Sequence, residues 1–235
     1  MNLITLIVLQ FIAHLFTDYF LQSDEQAKEK NEEGFKSKFL IKHFIIAFTT
    51  SWLFSFQVKF LCFALIIAAT HVTIDGLKKY INNHKLIGKY AFYIDQTLHI
   101  SILIIASIIF NKYFTLHKVY GIEIEWQVIL YIVGYLFCLK PSNILIKQIF
   151  NTVSITDQTN DDLEKAGRLI GALERLLALT FVLQGQYEAV GFLIAAKSIL
   201  RFKEGDTKKT EYVLIGTMLS FAIAIGVGIL IKKYA

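Results

Sequence analysis

The sequence predicts an all-α, polytopic integral membrane protein, folded as a bundle of about eight helices. Three observations predict this fold class. Hydrophobic residues make up 55% of the 235 residues and charged residues only 18%, and the mean hydropathy is +0.52, so the chain is more apolar than soluble domains are. Apolar runs close to the ~20 residues that cross a bilayer recur along the whole chain. Proline, which interrupts helices, occurs only once.

Eight apolar segments are long enough to cross, or nearly cross, a bilayer. They cover residues 2–22, 39–56, 58–77, 91–111, 126–147, 165–183, 186–201 and 211–231. The first lacks a basic region and a small-residue cleavage site, so we expect a membrane helix and not a signal peptide. The sixth starts as an amphipathic helix with charges on one side. One or two segments are therefore expected to be re-entrant or interfacial.

A polar stretch divides the chain into two parts. We expect an N-terminal membrane bundle at 1–147, a polar linker at 148–164 and C-terminal membrane helices at 165–235. The net charge of +5 comes from basic residues concentrated in the loops after the first, third, fifth and seventh segments. By the positive-inside rule these loops are cytoplasmic, and this distribution gives no reason to expect nucleic acid as a partner.

Three of the predicted helices carry a histidine and an aspartate four residues apart. The pairs are His14–Asp18, His71–Asp75 and Asp95–His99, and the second helix adds His43 near its start. This spacing places the imidazole and the carboxylate on one helical face, about 5–6 Å apart at their β-carbons. Because ionisable groups are costly inside lipid, each such pair is a hypothesis for a functional site.

The depth of these residues strengthens that hypothesis. In an up-and-down bundle, the end of helix one, the start of helix two, the end of helix three and the start of helix four lie on one side of the membrane. All seven residues occupy those positions, and the inference needs only antiparallel neighbours. A mixed nitrogen and oxygen set suits Zn²⁺, Mn²⁺ or Fe²⁺, as one or two divalent metal ions.

Each residue has an expected role. The metal is ligated or oriented by His14, Asp18, His71, Asp75, Asp95 and His99. His43 is a further ligand or a general acid/base, and Asp95 is a second candidate for catalysis. Gln22, Lys78 and Lys79 continue the same faces into the loops, where they are expected to bind a polar head group.

Three other interpretations of the seven residues stay open. They form hydrogen bonds that stabilise the bundle, they relay protons in a transporter, or their histidines ligate haem. Haem is disfavoured because most of these histidines have an aspartate one turn away, which metal ligation uses and haem binding does not require. Walker, GxGxxG, GxSxG and CxxC motifs are absent, so the usual signatures of P-loop, dinucleotide and serine-hydrolase chemistry are missing.

In the C-terminal part, Glu174 is the carboxylate placed farthest into a predicted helix, and intramembrane charges usually pair. Lys197 is the expected partner in a structural ion pair, with substrate binding as the alternative.

The stretches HLFTDYFLQSD, HVTIDGLKK and DQTLH, in that order on successive helices, resemble the bacterial membrane family catalogued as domain of unknown function 3307. The GRLIGALERLL, AAKSILRF and EYVLIGTMLSF stretches look like its C-terminal extension. The resemblance implies a multi-pass protein of the bacterial plasma (inner) membrane and implies little about activity. A looser likeness is to membrane-bound metal-dependent hydrolases, which also place HxxxD-type pairs at helix ends.

The function predicted from these features is a metal-dependent hydrolase acting on a membrane-associated, phosphate-bearing substrate at the cytoplasmic face. The alternatives are a proton-coupled transporter or channel, and a structural or regulatory membrane partner. The partners expected are membrane lipid and an anionic lipid or other phosphorylated substrate, with a homo-oligomer left open.

Overall fold

The computed structural model describes residues 1–117, 125–154, 161–201 and 207–235. Within these ranges the chain forms α-helices joined by short turns and contains no strand, which confirms the all-α prediction. The ten described α-helices are α1 Leu3–Leu15, α2 Asp24–Glu33, α3 Phe39–Ser55, α4 Leu61–Asn82, α5 Ala91–Tyr113, α6 Trp126–Cys138, α7 Lys140–Thr152, α8 Asp161–Leu183, α9 Tyr187–Arg201 and α10 Thr207–Tyr234.

Two features raise the number of helices above the eight predicted. The first is α2, which is too polar to count among the apolar segments. It starts in a capping box, in which the Ser23 hydroxyl accepts from the backbone N–H of Gln26 and the Gln26 side chain accepts from the backbone N–H of Ser23. The second is a bend of 47° between α6 and α7, where Pro141 stands at the start of α7.

Four of the described helical segments are long and apolar enough to cross a membrane. They are Leu3–Phe20, Val58–Asn82, Gly88–Tyr113 and Tyr212–Tyr234. The bent pair α6–α7 makes a fifth if it is one span, and α3 is a shorter apolar helix. These segments support a multi-pass membrane protein.

The first compact unit, Met1–Glu125, buries a group of polar side chains at one end and exposes an apolar surface. In it α1 and α4 each pack against both α3 and α5. The outer surface exposes large aliphatic side chains such as Ile41, Ile45, Ile66 and Ile105. Histidine, aspartate and glutamine side chains are buried between the helices. This inversion of the soluble pattern is what lipid around the helices requires.

At the end of this unit remote from the buried charges, an apolar core holds α1, α4 and α5 together. Leu6, Phe60, Ala64, Leu103 and Phe110 are all at most 5% exposed. The Phe60 and Phe110 rings meet edge to face with centroids 5.0 Å apart, a favoured aromatic geometry. This core fixes how the helices align, and therefore which residues meet at the other end.

The second compact unit is Trp126–Ala235, in which α8 packs along α10. Its core includes Cys138, Leu179 and Phe221. The sequence grouped 126–147 with the N-terminal bundle, but α6 packs on α8 and α10, so the boundary between the compact units falls at 125/126. Most of the predicted linker lies in α7 and α8, and its residues 155–160 lie outside the described part of the chain.

Candidate metal centre

The structure brings all seven predicted His and Asp residues together inside the first unit. The end of α1 and the turn after it, the start of α3, the second half of α4 and the start of α5 supply them. Each is at most 9% exposed: His14, Asp18, His43, His71, Asp75, Asp95 and His99. Seven ionisable groups buried at one place are costly unless they neutralise one another or bind a cation.

Asp18 lies in a π-helical turn, Phe16–Phe20, that continues α1. The Leu21 N–H donates to the Phe16 carbonyl at 2.8 Å, which is the i→i+5 bond of this wider turn. Because the helix widens at this turn, His14 and Asp18 do not form a close side-chain contact. His14 Nε2 lies 3.9 Å from Asp18 Oδ2. The wider turn instead brings Asp18 Oδ1 to 3.0 Å from His71 Nε2. Single π turns in α-helices are frequent at functional sites.

Four donor atoms from α1, α3 and α4 form the tightest part of the cluster. His43 Nε2 and His71 Nε2 are 3.0 Å apart. His43 Nε2 is 3.1 Å from Asp75 Oδ2 and 3.3 Å from Asp18 Oδ1. His71 Nε2 is 3.0 Å from Asp18 Oδ1 and 3.6 Å from Asp75 Oδ2. Metal–ligand bonds of 2.0–2.2 Å place neighbouring ligand atoms about 3.0–3.5 Å apart, which is the separation seen here.

On the α5 side, His14, Asp95 and His99 line the cluster. The His99 ring stacks on the His71 ring with centroids 3.9 Å apart and planes within 9°. The Gln96 side-chain amide links Asp95 and His14. Its Nε2 donates to Asp95 Oδ2 at 3.1 Å, and its Oε1 lies 3.0 Å from His14 Nε2. Asp18 Oδ2 faces the same side, 3.7 Å from His99 Nδ1.

Several buried polar atoms in the described part of the cluster have no hydrogen-bond partner. They include the Nδ1 atoms of His14, His43 and His99 and Oδ1 of Asp95. Leaving such a group unpaired costs about 1–3 kcal/mol, so native proteins rarely do so without a functional reason. These atoms have free lone pairs or protons for a ligand.

A buried lysine that no sequence pattern indicates completes the cluster. Lys30 is 3% exposed, and its Nζ lies 2.7 Å from Asp75 Oδ1 and 3.1 Å from Gln22 Oε1. Burial alone would lower the pKa of the Lys30 ammonium, but the attraction of Asp75, and then of Asp18 and Asp95, outweighs it and raises that pKa. Lys30 therefore stays charged beside the carboxylates.

The residues predicted to bind substrate divide into two groups. Gln22 contacts Lys30, and Lys78 Nζ lies 2.9 Å from Asp95 Oδ2, so both lie at the cluster. The stem of Lys79 packs beside Gly34 instead.

Two glycines let α2 approach the cluster closely. Gly34 follows α2 with a φ of +60°, and a Cβ there would lie 2.9 Å from the Gly76 carbonyl oxygen. A Cβ on Gly76 would lie 2.3 Å from the Phe35 ring. Gly76 directly follows Asp75, and Gly34 and Phe35 directly follow α2, the helix that carries Lys30. The close approach of the chain at these glycines therefore holds Lys30 beside the Asp75 carboxylate.

Polar side chains continue from the cluster into the bundle. The Thr17 and Thr50 hydroxyls are 2.7 Å apart, and the Ser51 hydroxyl donates to Gln10 Oε1 at 2.6 Å. Between them and His14 lies a small internal cavity with room for about one water molecule.

Residues 6–128, more than half of the chain, match the family model described as Protein of unknown function (DUF3307). The chain belongs to this family. The resemblance seen in the three His/Asp stretches is thereby confirmed, and the matched region contains the whole cluster. No curated protein and no solved structure matches this DUF3307 chain.

Most of the second unit of this DUF3307 protein lies beyond the matched residues. There Lys197 Nζ donates to Glu174 Oε2, so these two residues form an ion pair. A buried cation that was not predicted lies beside them: Arg175, 1% exposed. Its Nε donates to the Cys138 carbonyl at 2.7 Å, and one terminal nitrogen donates to Asn143 Oδ1. Arg175 therefore binds the backbone where α6 ends and the chain bends.

Proposed function

We propose that this protein is a metal-dependent hydrolase. Its metal ligands are the facing atoms of His43, His71, Asp18 and Asp75. The observation that carries the proposal is their spacing: five separations among these four atoms lie between 3.0 and 3.6 Å. Two imidazole nitrogens 3.0 Å apart share at most one proton, whereas a cation between them satisfies both.

The donor set favours a transition metal of borderline softness. Two imidazoles with two carboxylates suit Zn²⁺, Mn²⁺ or Fe²⁺, while an all-oxygen set would favour Mg²⁺ or Ca²⁺. A divalent ion held here supplies hydroxide near neutral pH and polarises a phosphoryl oxygen. Lys30 orients Asp75 by holding its second oxygen.

The charges around the centre support a phosphate-bearing substrate. Lys30 and Lys78 neutralise Asp75 and Asp95 in the structure. Once an ion neutralises part of the carboxylate charge, both ammonium groups become donors for phosphate oxygens. Because the cluster lies at the ends of apolar helices, a phosphate carried on a membrane lipid reaches it more readily than a soluble one. The positive-inside pattern of the basic loops supports a location of this end at the cytoplasmic face of the bacterial inner membrane.

Asp95 is the proposed acid/base. Its Oδ2 is held by Lys78 and Gln96, which leaves the buried Oδ1 unpartnered. In hydrolysis, the water oxygen bonds to phosphorus as the bond from phosphorus to the leaving oxygen breaks. Asp95 takes the proton of the water and returns it to the leaving oxygen, so no redox partner is needed.

The first test is the metal content of the detergent-purified protein, measured by elemental analysis. We expect bound transition metal in the wild type and its loss in His71→Ala and Asp75→Ala. His84→Ala is the matched control, because His84 is exposed and lies outside the cluster. Metal-free wild type, or equal metal in all variants, would overturn the proposal.

The second test is phosphate release from a lipid phosphomonoester in mixed micelles, compared with a soluble aryl phosphate. Lys78→Ala is expected to raise KM for the lipid substrate, and Lys79→Ala, one residue away but packed beside Gly34, is the matched control. Metal-loaded protein that releases no phosphate from either compound would contradict hydrolase activity on phosphate esters.

A proton-coupled transporter is the second candidate, favoured by the polar residues that continue into the bundle from Thr17 and Thr50 to Gln10 and Ser51. It predicts pH-driven flux in proteoliposomes without added metal. That flux is lost in Asp18→Asn and reduced in Thr50→Val. Chelator-insensitive flux would favour the transporter over the hydrolase.

A further inference from the structure

We propose that Asp18 bridges two metal ions, and that His14 and His99 complete a second metal centre beside the first. The proposal rests on the proposed function for the first centre and extends it to a two-metal site. Each ion would then have two histidines and one oxygen of Asp18, and the first would also have Asp75.

The two oxygens of Asp18 face different pairs of histidines. Oδ1 lies 3.0 Å from His71 Nε2 and 3.3 Å from His43 Nε2. Oδ2 lies 3.7 Å from His99 Nδ1 and 3.9 Å from His14 Nε2. A carboxylate placed this way spans two ions, and two-metal hydrolytic sites have ions about 3.5–4 Å apart.

The hydrogen bonding of His99 supplies an independent observation. Its Nε2 lies 3.4 Å from the His71 carbonyl oxygen, an acceptor, so Nε2 carries the proton and Nδ1 carries a lone pair. That Nδ1 is buried, has no hydrogen-bond partner, and faces Asp18 Oδ2, which is another acceptor. Two facing lone pairs repel unless a cation lies between them. Metal-bound histidines commonly donate their other N–H to a backbone carbonyl in this way.

The distances also fit an ion better than a direct contact. The separations of 3.7 and 3.9 Å from Asp18 Oδ2 to His99 Nδ1 and His14 Nε2 are too long for hydrogen bonds. To bind the ion, His14 Nε2 would give up its 3.0 Å contact with Gln96 Oε1, and its proton would move to the unpartnered Nδ1. An ion about 2.1 Å from each of two donors separates them by at most about 4.2 Å. Two histidines and one carboxylate leave open positions for water or substrate.

The charge of the cluster points to the same substrate class. With neutral histidines, three carboxylates against two ammonium groups leave a single negative charge. Two divalent ions reverse this to three positive charges. A phosphate dianion together with one hydroxide neutralises them, so a two-metal site is matched in charge to a phosphomonoester and its attacking hydroxide.

The stacked rings of His71 and His99 place one ligand of each centre side by side, with centroids 3.9 Å apart. The α5 side also has its own, partly buried lysine, because Lys78 Nζ contacts Asp95 as Lys30 Nζ contacts Asp75.

The test is the number of metal ions per chain after loading purified protein with Mn²⁺. We expect two ions in the wild type and one in His14→Ala, His99→Ala and the more conservative His99→Gln. The electron paramagnetic resonance spectrum should change from a spin-coupled pair to an isolated Mn²⁺ ion in those variants. Asp18→Asn should lose the coupling as well.

One ion per chain in the wild type, retained in His14→Ala and His99→Gln and lost in His71→Ala, would overturn the second centre and leave the proposed hydrolase intact. No ion in the wild type would overturn the proposed function itself. Size-exclusion elution in detergent checks that each variant is folded, and His14→Gln replaces any variant that is not.

Discussion

Lys30 and Asp75 are 45 positions apart in the sequence, yet Lys30 Nζ lies 2.7 Å from Asp75 Oδ1 and both side chains are almost completely buried. The contact joins a short polar helix to a membrane-spanning one. Gly34 and Gly76 permit it by letting the turn after α2 lie against α4. The ammonium group therefore occupies the position of a counter-ion for a carboxylate that also faces two histidines.

Replacing Lys30 with methionine should destabilise the metal-free protein. The change keeps the apolar stem but leaves the buried Asp75 charge unpaired, which typically costs about 3–5 kcal/mol. Added Mn²⁺ or Zn²⁺ should restore much of the loss, because an ion bound to the folded state compensates the same carboxylate. Thermal unfolding in detergent, with and without metal, measures both effects.

Lys28→Met is the matched control for Lys30→Met, since Lys28 lies on the same helix in an exposed contact with Glu32 and should matter little. Equal unfolding temperatures for the two variants would show that the Lys30–Asp75 contact does not stabilise the fold.

Gly76→Ala should displace α2 from α4. The added methyl group would lie 2.3 Å from the Phe35 ring, so either the ring or the helix must move. We expect a loss of about 1–3 kcal/mol, as for overpacked interiors. The double variant Gly76→Ala/Phe35→Ala should lose less than the sum of the single variants, which a double-mutant cycle of unfolding free energies would measure.

Gly191→Ala is the control for that cycle, because a Cβ there meets nothing within 4 Å. Strict additivity between positions 76 and 35 would contradict the proposed packing of Phe35 on Gly76.

The meeting of the histidines and aspartates was predictable because it follows from helix order and depth alone. Residues at the end of one helix and the start of the next lie at the same level whenever neighbours are antiparallel. His14, His43, His71 and His99 all obey this rule, and the structure brings them together. No periodicity, however, marks the π turn that moves Asp18 off the regular helical face.

The two buried cations were not predictable for a different reason. Lys30 lies in a segment whose composition resembles any solvated loop, and only tertiary packing turns it toward Asp75. Arg175 divides its hydrogen bonds between two backbone carbonyls, which every residue has, and the neutral side chains of Ser220 and Asn143, so no oppositely charged partner marks it in the sequence. Its neighbour Glu174 is the residue that the sequence indicates, because a carboxylate in an apolar helix predicts a lysine partner.

Glu29 should make the stability of the α2–α3 connection depend on pH. The hydrogen bond from Ser37 Oγ, 2.7 Å long, lowers the pKa of the Glu29 carboxyl below its ordinary value of 4.5. A lowered folded-state pKa stabilises the protein above the unfolded value, and this contribution is lost as pH falls through the folded value. The unfolding temperature of the wild type should therefore fall toward that of Glu29→Gln as the pH drops below the ordinary value of 4.5 and through the lowered folded-state pKa.

The control for Glu29→Gln is Glu32→Gln, on the exposed side of the same helix. A difference between wild type and Glu29→Gln that stays constant with pH would show that the carboxylate form makes no special contribution.

Arg175→Met should destabilise the second unit without affecting metal binding. The guanidinium donates to the Cys138 carbonyl at 2.7 Å, to Ser220 Oγ at 2.9 Å and to Asn143 Oδ1, so its removal leaves buried acceptors at the bend after α6 unpaired. Hydrogen bonds to charged groups contribute about 1.5–3 kcal/mol each, so we expect a loss of at least ~2 kcal/mol. Arg175→Lys should recover only part of it, because an ammonium group lacks the planar fork that reaches several acceptors.

Metal per folded chain should equal that of the exposed control Lys233→Met, since every proposed ligand lies in Met1–Glu125. An unchanged unfolding temperature in Arg175→Met would contradict the assigned role.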